Sequence, residues 1–182
     1  IIEEARARGV DVSTEAYPYT AGMTRIESFL FDAWADKAEQ EYRKLQWVLT
    51  GERLTRETFL NYRKQGGYVL IHANTEERVR TAIAHPLTMI ASDGFDVDPP
   101  SHPRSAATES RVLGRYAREQ GALTLMQALR KMTLMPAQRL EGRVPAMQQK
   151  GRLRVGADAD LTIFDPARVV DRSTYREPSL PP

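Results

Sequence analysis

One acidic residue is a candidate for catalysis or metal binding because of its position in the sequence. Asp93 lies two residues after the apolar run Leu87–Ala91 and precedes a glycine, so we expect a buried strand to end beside its carboxylate. A carboxylate in that place can serve as a general base or as a metal ligand. From spacing alone, Ser92-Asp93-Gly94 is equally typical of a plain turn.

An arginine and two tyrosines are the other candidates. Arg104 ends the loop motif His102-Pro103-Arg104, and a guanidinium has the fork of donors that grips a carboxylate at two points. Tyr17 and Tyr19 follow a period-two alternation at residues 10–16, and their hydroxyls can donate to a substrate oxygen. The alternatives are a solvated surface charge for the arginine and ordinary core packing for the tyrosines.

The three histidines do not predict a metal site by themselves. His72, His85 and His102 form neither His-x-His nor His-x-x-x-His. We expect His85, which precedes a proline, to end a helix, and His102 to shape the Arg104 loop. The chain has no cysteine, which excludes disulfides, thiolate metal sites and a thiol nucleophile.

Composition is that of a globular domain. The 182 residues are 41% hydrophobic, with 26 Lys and Arg against 24 Asp and Glu. No window approaches the roughly 18 apolar residues that a membrane-spanning helix needs. The pI near 9.0 leaves a basic nucleic-acid-binding module as one alternative, but acids and bases are interleaved, so nucleic acid is not the expected partner.

The order of elements indicates an α/β protein, in which chemistry collects at the carboxyl ends of strands. The chain begins at Ile1 within a helical pattern, from which we expect a fragment. The predicted elements are a strand over 10–17, a charged helical stretch from 27 to 64 whose apolar anchors include Phe29, Leu30 and Leu49, a strand over 68–71, a helix over 75–84 capped by Asn74 with Glu77, a strand over 87–91, a loop over 95–104, helices over 105–120 and 125–132, the second with a capping box of Thr124 and Gln127, a short helix starting at Pro136, and short strands within 142–182.

Six motifs together resemble one family. The sequence is similar to the C-terminal third of N-acyl-D-amino-acid deacylases, members of the amidohydrolase superfamily, over most of the chain except about residues 27–66. The motifs occur in the family's order: Tyr17-Pro18-Tyr19-Thr20-Ala21-Gly22, Ser92-Asp93-Gly94, His102-Pro103-Arg104, Arg111-Val112-Leu113-Gly114-Arg115-Tyr116, Arg130-Lys131-Met132-Thr133 with Pro136-Ala137, and Gly156-Ala157-Asp158-Ala159-Asp160-Leu161 with Phe164-Asp165-Pro166.

The resemblance implies part of a metal-dependent (β/α)8 barrel plus part of a small β-sandwich. Residues 1–141 would be the C-terminal part of the barrel, supplying strand seven (Val10 to Tyr17) and strand eight (Leu87 to Ala91). Residues 27–66 would be a variable helical insertion, and residues 142–182 would contribute to the sandwich.

The resemblance also implies roles. Asp93 would be the general base on a metal-bound water and a candidate metal ligand, beside one or two zinc ions held mostly by residues outside this chain. Arg104 would clamp the substrate's α-carboxylate, and Tyr17 and Tyr19 would bind substrate. Where the family pattern leads us to expect a serine after Gly22, this sequence has Met23, which predicts altered specificity.

The activity implied is metal-dependent hydrolysis of the N-acyl amide of N-acyl-D-amino acids, in the cytoplasm, on a small-molecule substrate, with neither nucleic acid nor membrane as partner. This chain alone is expected to be inactive. The alternatives are an amidohydrolase acting on cyclic amides, as dihydroorotases and hydantoinases do, and an inactive truncated remnant. The preferred acyl group and side chain, the number of metal ions and the oligomeric state stay open.

Overall fold

The computed structural model describes residues 1–95 and 102–182. No helix in these two ranges is both long enough and apolar enough to cross a membrane. In chain order the elements are α1 (Ile2–Ala7), β1 (Thr14–Ala16), β2 (Ala21–Arg25), a 3-10 helix (Phe29–Trp34), α2 (Glu39–Tyr42), β3 (Leu45–Trp47), α3 (Arg56–Gln65), β4 (Tyr68–His72), α4 (Glu76–Ala84), β5 (Thr88–Ile90), α5 (Arg104–Arg111), a π-helix (Val112–Glu119), α6 (Leu125–Met132), α7 (Leu134–Leu140) and a second 3-10 helix (Pro145–Gln149).

The strands β1 and β5 lie side by side as a parallel pair, with Thr14 opposite Thr88. Both predicted strands, over 10–17 and 87–91, are therefore present, although each is shorter than predicted. All three residues of β5 are buried. Val10 is 50% exposed and lies outside β1, which begins at Thr14, where pairing with β5 begins. The parallel pairing brings the carboxyl ends of both strands to one edge.

Helices α4 and α6 pack against β5. Lys131, in α6, connects its helix to the end of α4 and to β5. Its Nζ is buried and donates to the backbone oxygens of His85, just after α4, and of Thr88, at 2.8 Å, in β5. Burial lowers the pKa of Lys131. The apolar cluster around this contact comprises Val79, Ile83, Ile90, Val112, Leu113, Tyr116, Leu123 and Ala128.

The stretch predicted to be helical from 27 to 64 is only partly so, because it contains the strand β3 beside a 3-10 helix, α2 and α3. The assignment of residues 27–66 to a variable insertion stays a prediction. A three-stranded antiparallel sheet, in the order β2-β4-β3, spans residues 21–72 and carries the helices of this region. Residues Leu45–Trp47 form a strand because they pair with β4. Such a pairing determines the conformation of a short segment more strongly than local propensity does.

The region over residues 21–72 has a hydrophobic core of its own. Three predicted anchors, Phe29, Leu30 and Leu49, are instead 79%, 54% and 60% exposed. Aromatic side chains from helices and strands fill the space, among them Trp47 stacked on Tyr62 with ring centroids 4.2 Å apart. The buried members are Ile26, Phe31, Tyr42, Leu45, Trp47, Leu54, Phe59 and Val69.

The predicted cap of α4 is also wrong, by one residue. The cap is Thr75, whose hydroxyl accepts from the backbone N–H of Arg78 at 3.3 Å, rather than Asn74 with Glu77. The reason lies in the backbone just before the helix. The N–H of Asn74 donates to the oxygen of Thr20 at 3.1 Å, which holds Asn74 in the loop from β4.

The later helices follow the sequence more closely. The capping box of α6 is confirmed, because the hydroxyl of Thr124 accepts from the N–H of Gln127 at 3.2 Å and the Gln127 side chain accepts in return at 2.8 Å. The predicted helix over 105–120 is divided into α5 and the π-helix, with a non-helical backbone at Ala107. Pro136 is the third residue of α7, not its first.

The short strands predicted within 142–182 are absent, which corrects the sequence analysis. This segment has one 3-10 helix and is otherwise irregular. Apolar side chains of the predicted strands are almost fully exposed, including Leu153, Val155 and Ile163. A strand requires a neighbour to complete its hydrogen bonds, and the described residues supply none here. The assignment of this segment to a sandwich domain stays a prediction.

Substituting Lys131 tests the hydrogen bonds that connect α6 to β5. We expect Lys131→Met to lower the free energy of unfolding in urea by about 1–3 kcal/mol, because two buried backbone oxygens lose their donor. Lys64→Met, at an exposed position of α3, is the matched control and should change it by less than about 0.5 kcal/mol. Equal effects of the two variants would show that the Lys131 contact does not stabilise the fold.

Candidate active site

The carboxyl ends of β1 and β5 bring two predicted site residues to one edge. Tyr17 follows β1, and Asp93 lies three residues after β5. Asp93 has a φ of +49°, the only positive φ of a non-glycine residue in the described ranges. An aspartate tolerates this conformation better than most residues do. Gly94 is required next, because a Cβ there would lie 2.8 Å from the Cα of Ser105 in α5.

Arg104 is the buried centre of the site. It is 2% exposed, and its Nη1 lies 3.0 Å from Oδ2 of Asp93, a carboxylate that is itself 65% exposed. Its guanidinium carbon stands 4.9 Å from the centre of the Tyr17 ring, in cation–π contact. Its Nε is buried and has no hydrogen-bond partner among the described residues. An unpaired buried donor is rare and marks a place where a ligand oxygen would bind well.

His102 holds the backbone at Arg104. The imidazole is 1% exposed. Its Nε2 donates to the oxygen of Ala21 at 2.9 Å, and its Nδ1 accepts from the N–H of Arg104 at 3.0 Å. Only the neutral ring can do both, and burial lowers the pKa of His102 to about 4. The expectation that His102 shapes the Arg104 loop is confirmed.

The two tyrosines have different surroundings. Tyr17 is half-buried beside Arg104; burial raises its pKa, while the Arg104 charge opposes that rise. A Cβ on Gly22 would come within 3.3 Å of its hydroxyl oxygen. Tyr19 is 3% exposed and donates to Oδ2 of Asp171 at 2.9 Å. The substrate-binding role predicted for Tyr19 stays a prediction, and this hydrogen bond gives its hydroxyl a structural partner.

One buried carboxylate, Asp171, was not predicted from the sequence. Its side chain is 3% exposed and pairs with Nη1 of Arg111 at 3.1 Å. It also accepts from Tyr19, from the N–H of Ser173 at 2.8 Å and from the Ser173 hydroxyl at 2.5 Å. The only signal in the sequence was Arg111, as the first residue of a family motif. Nothing local distinguishes Asp171 from the exposed acids near it.

In residues 1–95 and 102–182, no three His, Asp or Glu side chains lie close enough together to hold a metal ion. Asp93 could therefore give a metal one ligand, with the others coming from elsewhere. Most of the loop predicted over 95–104 lies outside the described residues, which exclude 96–101. Met23, at the expected serine position, is buried in β2 opposite Leu70.

A model described as the amidohydrolase family matches residues 1–179 of this chain. The chain belongs to the amidohydrolase family. Two relatives from Alcaligenes xylosoxydans xylosoxydans, an N-acyl-D-glutamate deacylase and a D-aminoacylase, are each 34% identical to this amidohydrolase over 98% of its length.

A solved structure is similar as well. The N-acyl-D-glutamate deacylase of Bordetella bronchiseptica, complexed with zinc and a phosphonate inhibitor, superposes with a TM-score of 0.81 at 31% identity over 99% of this chain. The chain spans 37% of the length of each of the two Alcaligenes relatives and 38% of the solved chain. The amidohydrolase family and its α/β architecture are thus shown, for a chain that matches part of its relatives.

The neutral state of His102 predicts a pH dependence of stability. With a pKa of about 4 when folded and 6.5 as its ordinary value, the imidazole takes up a proton in the unfolded state first as the pH falls. Stability is therefore lost between about pH 6.5 and 4, by about 3 kcal/mol from this residue. Urea unfolding at about pH 7 and about pH 4 measures the loss.

We expect His102→Gln to show a clearly smaller loss between these two pH values. His85→Gln removes an exposed imidazole and should retain the full loss. An unchanged loss in His102→Gln would show that His102 is not held neutral.

Proposed function

We propose that this chain is the C-terminal part of a zinc-dependent deacylase that hydrolyses the N-acyl amide of N-acyl-D-amino acids. The observation that carries the proposal is the buried Arg104, whose Nε has no partner among the described residues, beside Asp93 and Tyr17 at the carboxyl ends of two parallel strands. In this proposal β1 and β5 are barrel strands seven and eight, and residues 142–182 contribute to a small β-sandwich.

Asp93 is the general base of the proposed reaction. Its exposed carboxylate takes a proton from the attacking water as the oxygen–carbon bond forms, and returns the proton to the amine nitrogen as the carbon–nitrogen bond breaks. The left-handed backbone at Asp93 and the close packing of Gly94 on α5 fix where this carboxylate points. Zinc, when bound, polarises the amide carbonyl and makes water more acidic.

Arg104 binds the substrate's α-carboxylate. Its Nη1 is used by Asp93, while its Nε remains available, so a carboxylate can bind the Nε side of the fork without displacing Asp93. Tyr17 lies against the face of the guanidinium and shields it from water, which strengthens a charge–charge contact. In the proposal, Arg104 contacts both the substrate's carboxylate and the general base Asp93, and this orients the scissile amide relative to the base.

The remaining zinc ligands lie outside this chain in the proposal, because Asp93 is the one carboxylate at the strand ends described here and one carboxylate cannot hold the metal alone. The substrate is a small molecule, with neither nucleic acid nor membrane as partner, and the cytoplasm is the proposed location. Sequencing the DNA upstream of the Ile1 codon tests the ligand assignment. We expect an open frame encoding His-x-His; a start codon directly before Ile1 would favour the inactive remnant.

Replacing the base tests the role of Asp93. In the complete enzyme we expect Asp93→Asn to lower kcat by about a hundredfold to ten-thousandfold, because the side-chain amide of asparagine cannot take up the proton from water. Steady-state hydrolysis of an N-acetyl-D-amino acid measures it. Asp36→Asn, at a 96% exposed position of the insertion, is the control and should retain activity. Near-normal turnover in Asp93→Asn would sink the assignment.

Replacing the arginine tests the carboxylate site. We expect Arg104→Ala to raise KM about 100-fold for N-acyl-D-amino acids, equivalent to about 2.8 kcal/mol, because the carboxylate loses its charged partner. KM for the matching amide without a carboxylate should change little. Arg80→Ala, an exposed arginine on α4, should change neither value. Equal increases for both substrates would contradict the carboxylate clamp.

A further inference from the structure

Tyr175, in the irregular C-terminal segment, contacts the backbone that supports the site. Its hydroxyl oxygen accepts a hydrogen bond from the N–H of Ala21 at 3.0 Å. The oxygen of the same Ala21 accepts from Nε2 of His102 at 2.9 Å. Ala21 begins β2, an edge strand, so both of its outward polar groups are satisfied by side chains from distant parts of the sequence.

The Tyr175 ring also fixes the plane of the imidazole. Its centroid lies 5.3 Å from that of His102 at an interplanar angle of 88°, and 5.0 Å from that of His72 at 72°. Both are edge-to-face contacts, a favourable geometry for aromatic rings. The orientation of His102 matters because its Nδ1 accepts from the backbone N–H of Arg104. A connected path therefore runs from Tyr175 through Ala21 and His102 to Arg104.

The segment that carries Tyr175 is firmly docked. Asp171 joins it to Arg111 and Tyr19 through buried hydrogen bonds. A Cβ at Gly114 in the π-helix would lie 2.7 Å from the backbone oxygen of Val169, so only glycine permits this close approach. Asp171 and Val169 both lie within six residues before Tyr175, so the chain that leads to it is held in place.

We propose that Tyr175 is a positioning residue for Arg104 and sets the affinity for the substrate's carboxylate. It touches neither the reacting atoms nor the carboxylate, and acts through Ala21 and His102. The inference rests on the proposed function, in which Arg104 binds that carboxylate. Because the carboxylate is bound in the ground state and the transition state alike, a displaced guanidinium raises KM more than it lowers kcat.

The test uses Tyr175→Phe in the complete enzyme. The substitution removes the acceptor for Ala21 but keeps the ring between the two imidazoles, so the segment should remain docked. We expect KM for an N-acetyl-D-amino acid to rise about tenfold with kcat changed less than about twofold, and KM for the matching amide without a carboxylate to stay unchanged. Tyr62→Phe, which removes a hydroxyl bonded to Glu52 in the insertion, is the matched control and should change neither.

A double-variant cycle separates positioning from a general structural effect. If Tyr175 acts through Arg104, adding Tyr175→Phe to Arg104→Ala should have no further effect on KM. A tenfold rise that persists without Arg104, or a rise shared by the substrate that lacks a carboxylate, would overturn the inference. A normal KM in Tyr175→Phe would also overturn it and leave the proposed function standing, whereas a normal KM in Arg104→Ala would overturn both.

Discussion

The burial of one guanidinium organises this part of the protein. A charged group is costly to remove from water unless it is paired and hydrogen-bonded. Arg104 has an ionic partner in Asp93, an aromatic face in Tyr17 and a backbone anchor in His102. Within residues 1–95 and 102–182, one of its donors, Nε, has no hydrogen-bond partner. A site that tolerates such a donor can bind an anion, and in the proposed function that anion is the carboxylate of the substrate.

The groups around Arg104 come from separate regions of the sequence. The parallel pair β1 and β5 supplies Tyr17 and Asp93 at its carboxyl edge, β2 supplies the backbone of Ala21, and the C-terminal segment supplies Tyr175. Asp93 is 11 residues from Arg104 in the chain, whereas each of the other contacts spans more than 80 residues. The irregular C-terminal segment therefore belongs structurally to the site, although it has neither a strand nor an α-helix beyond residue 140.

The sequence predicted what depends on local pattern. The apolar run that became β5 and the capping box at Thr124 were correct, because each is decided within a few residues. The convergence of Asp93, Arg104 and Tyr17 was expected from the family resemblance. The strand β3 and the contacts of Tyr175 were not predicted, since both depend on partners distant in sequence. The strands predicted within 142–182 are absent for the same reason, because the described residues give these segments no neighbouring strand to pair with.

The most direct test is a crystal structure of the complete protein with a phosphonate analogue of an N-acyl-D-amino acid. The account predicts one oxygen of the analogue's carboxylate within about 3 Å of Nε of Arg104. It also predicts the phosphonate beside Asp93, and His102 still bonded to Ala21. A carboxylate bound elsewhere, with Arg104 contacting only Asp93, would contradict the claim that Arg104 is the carboxylate site.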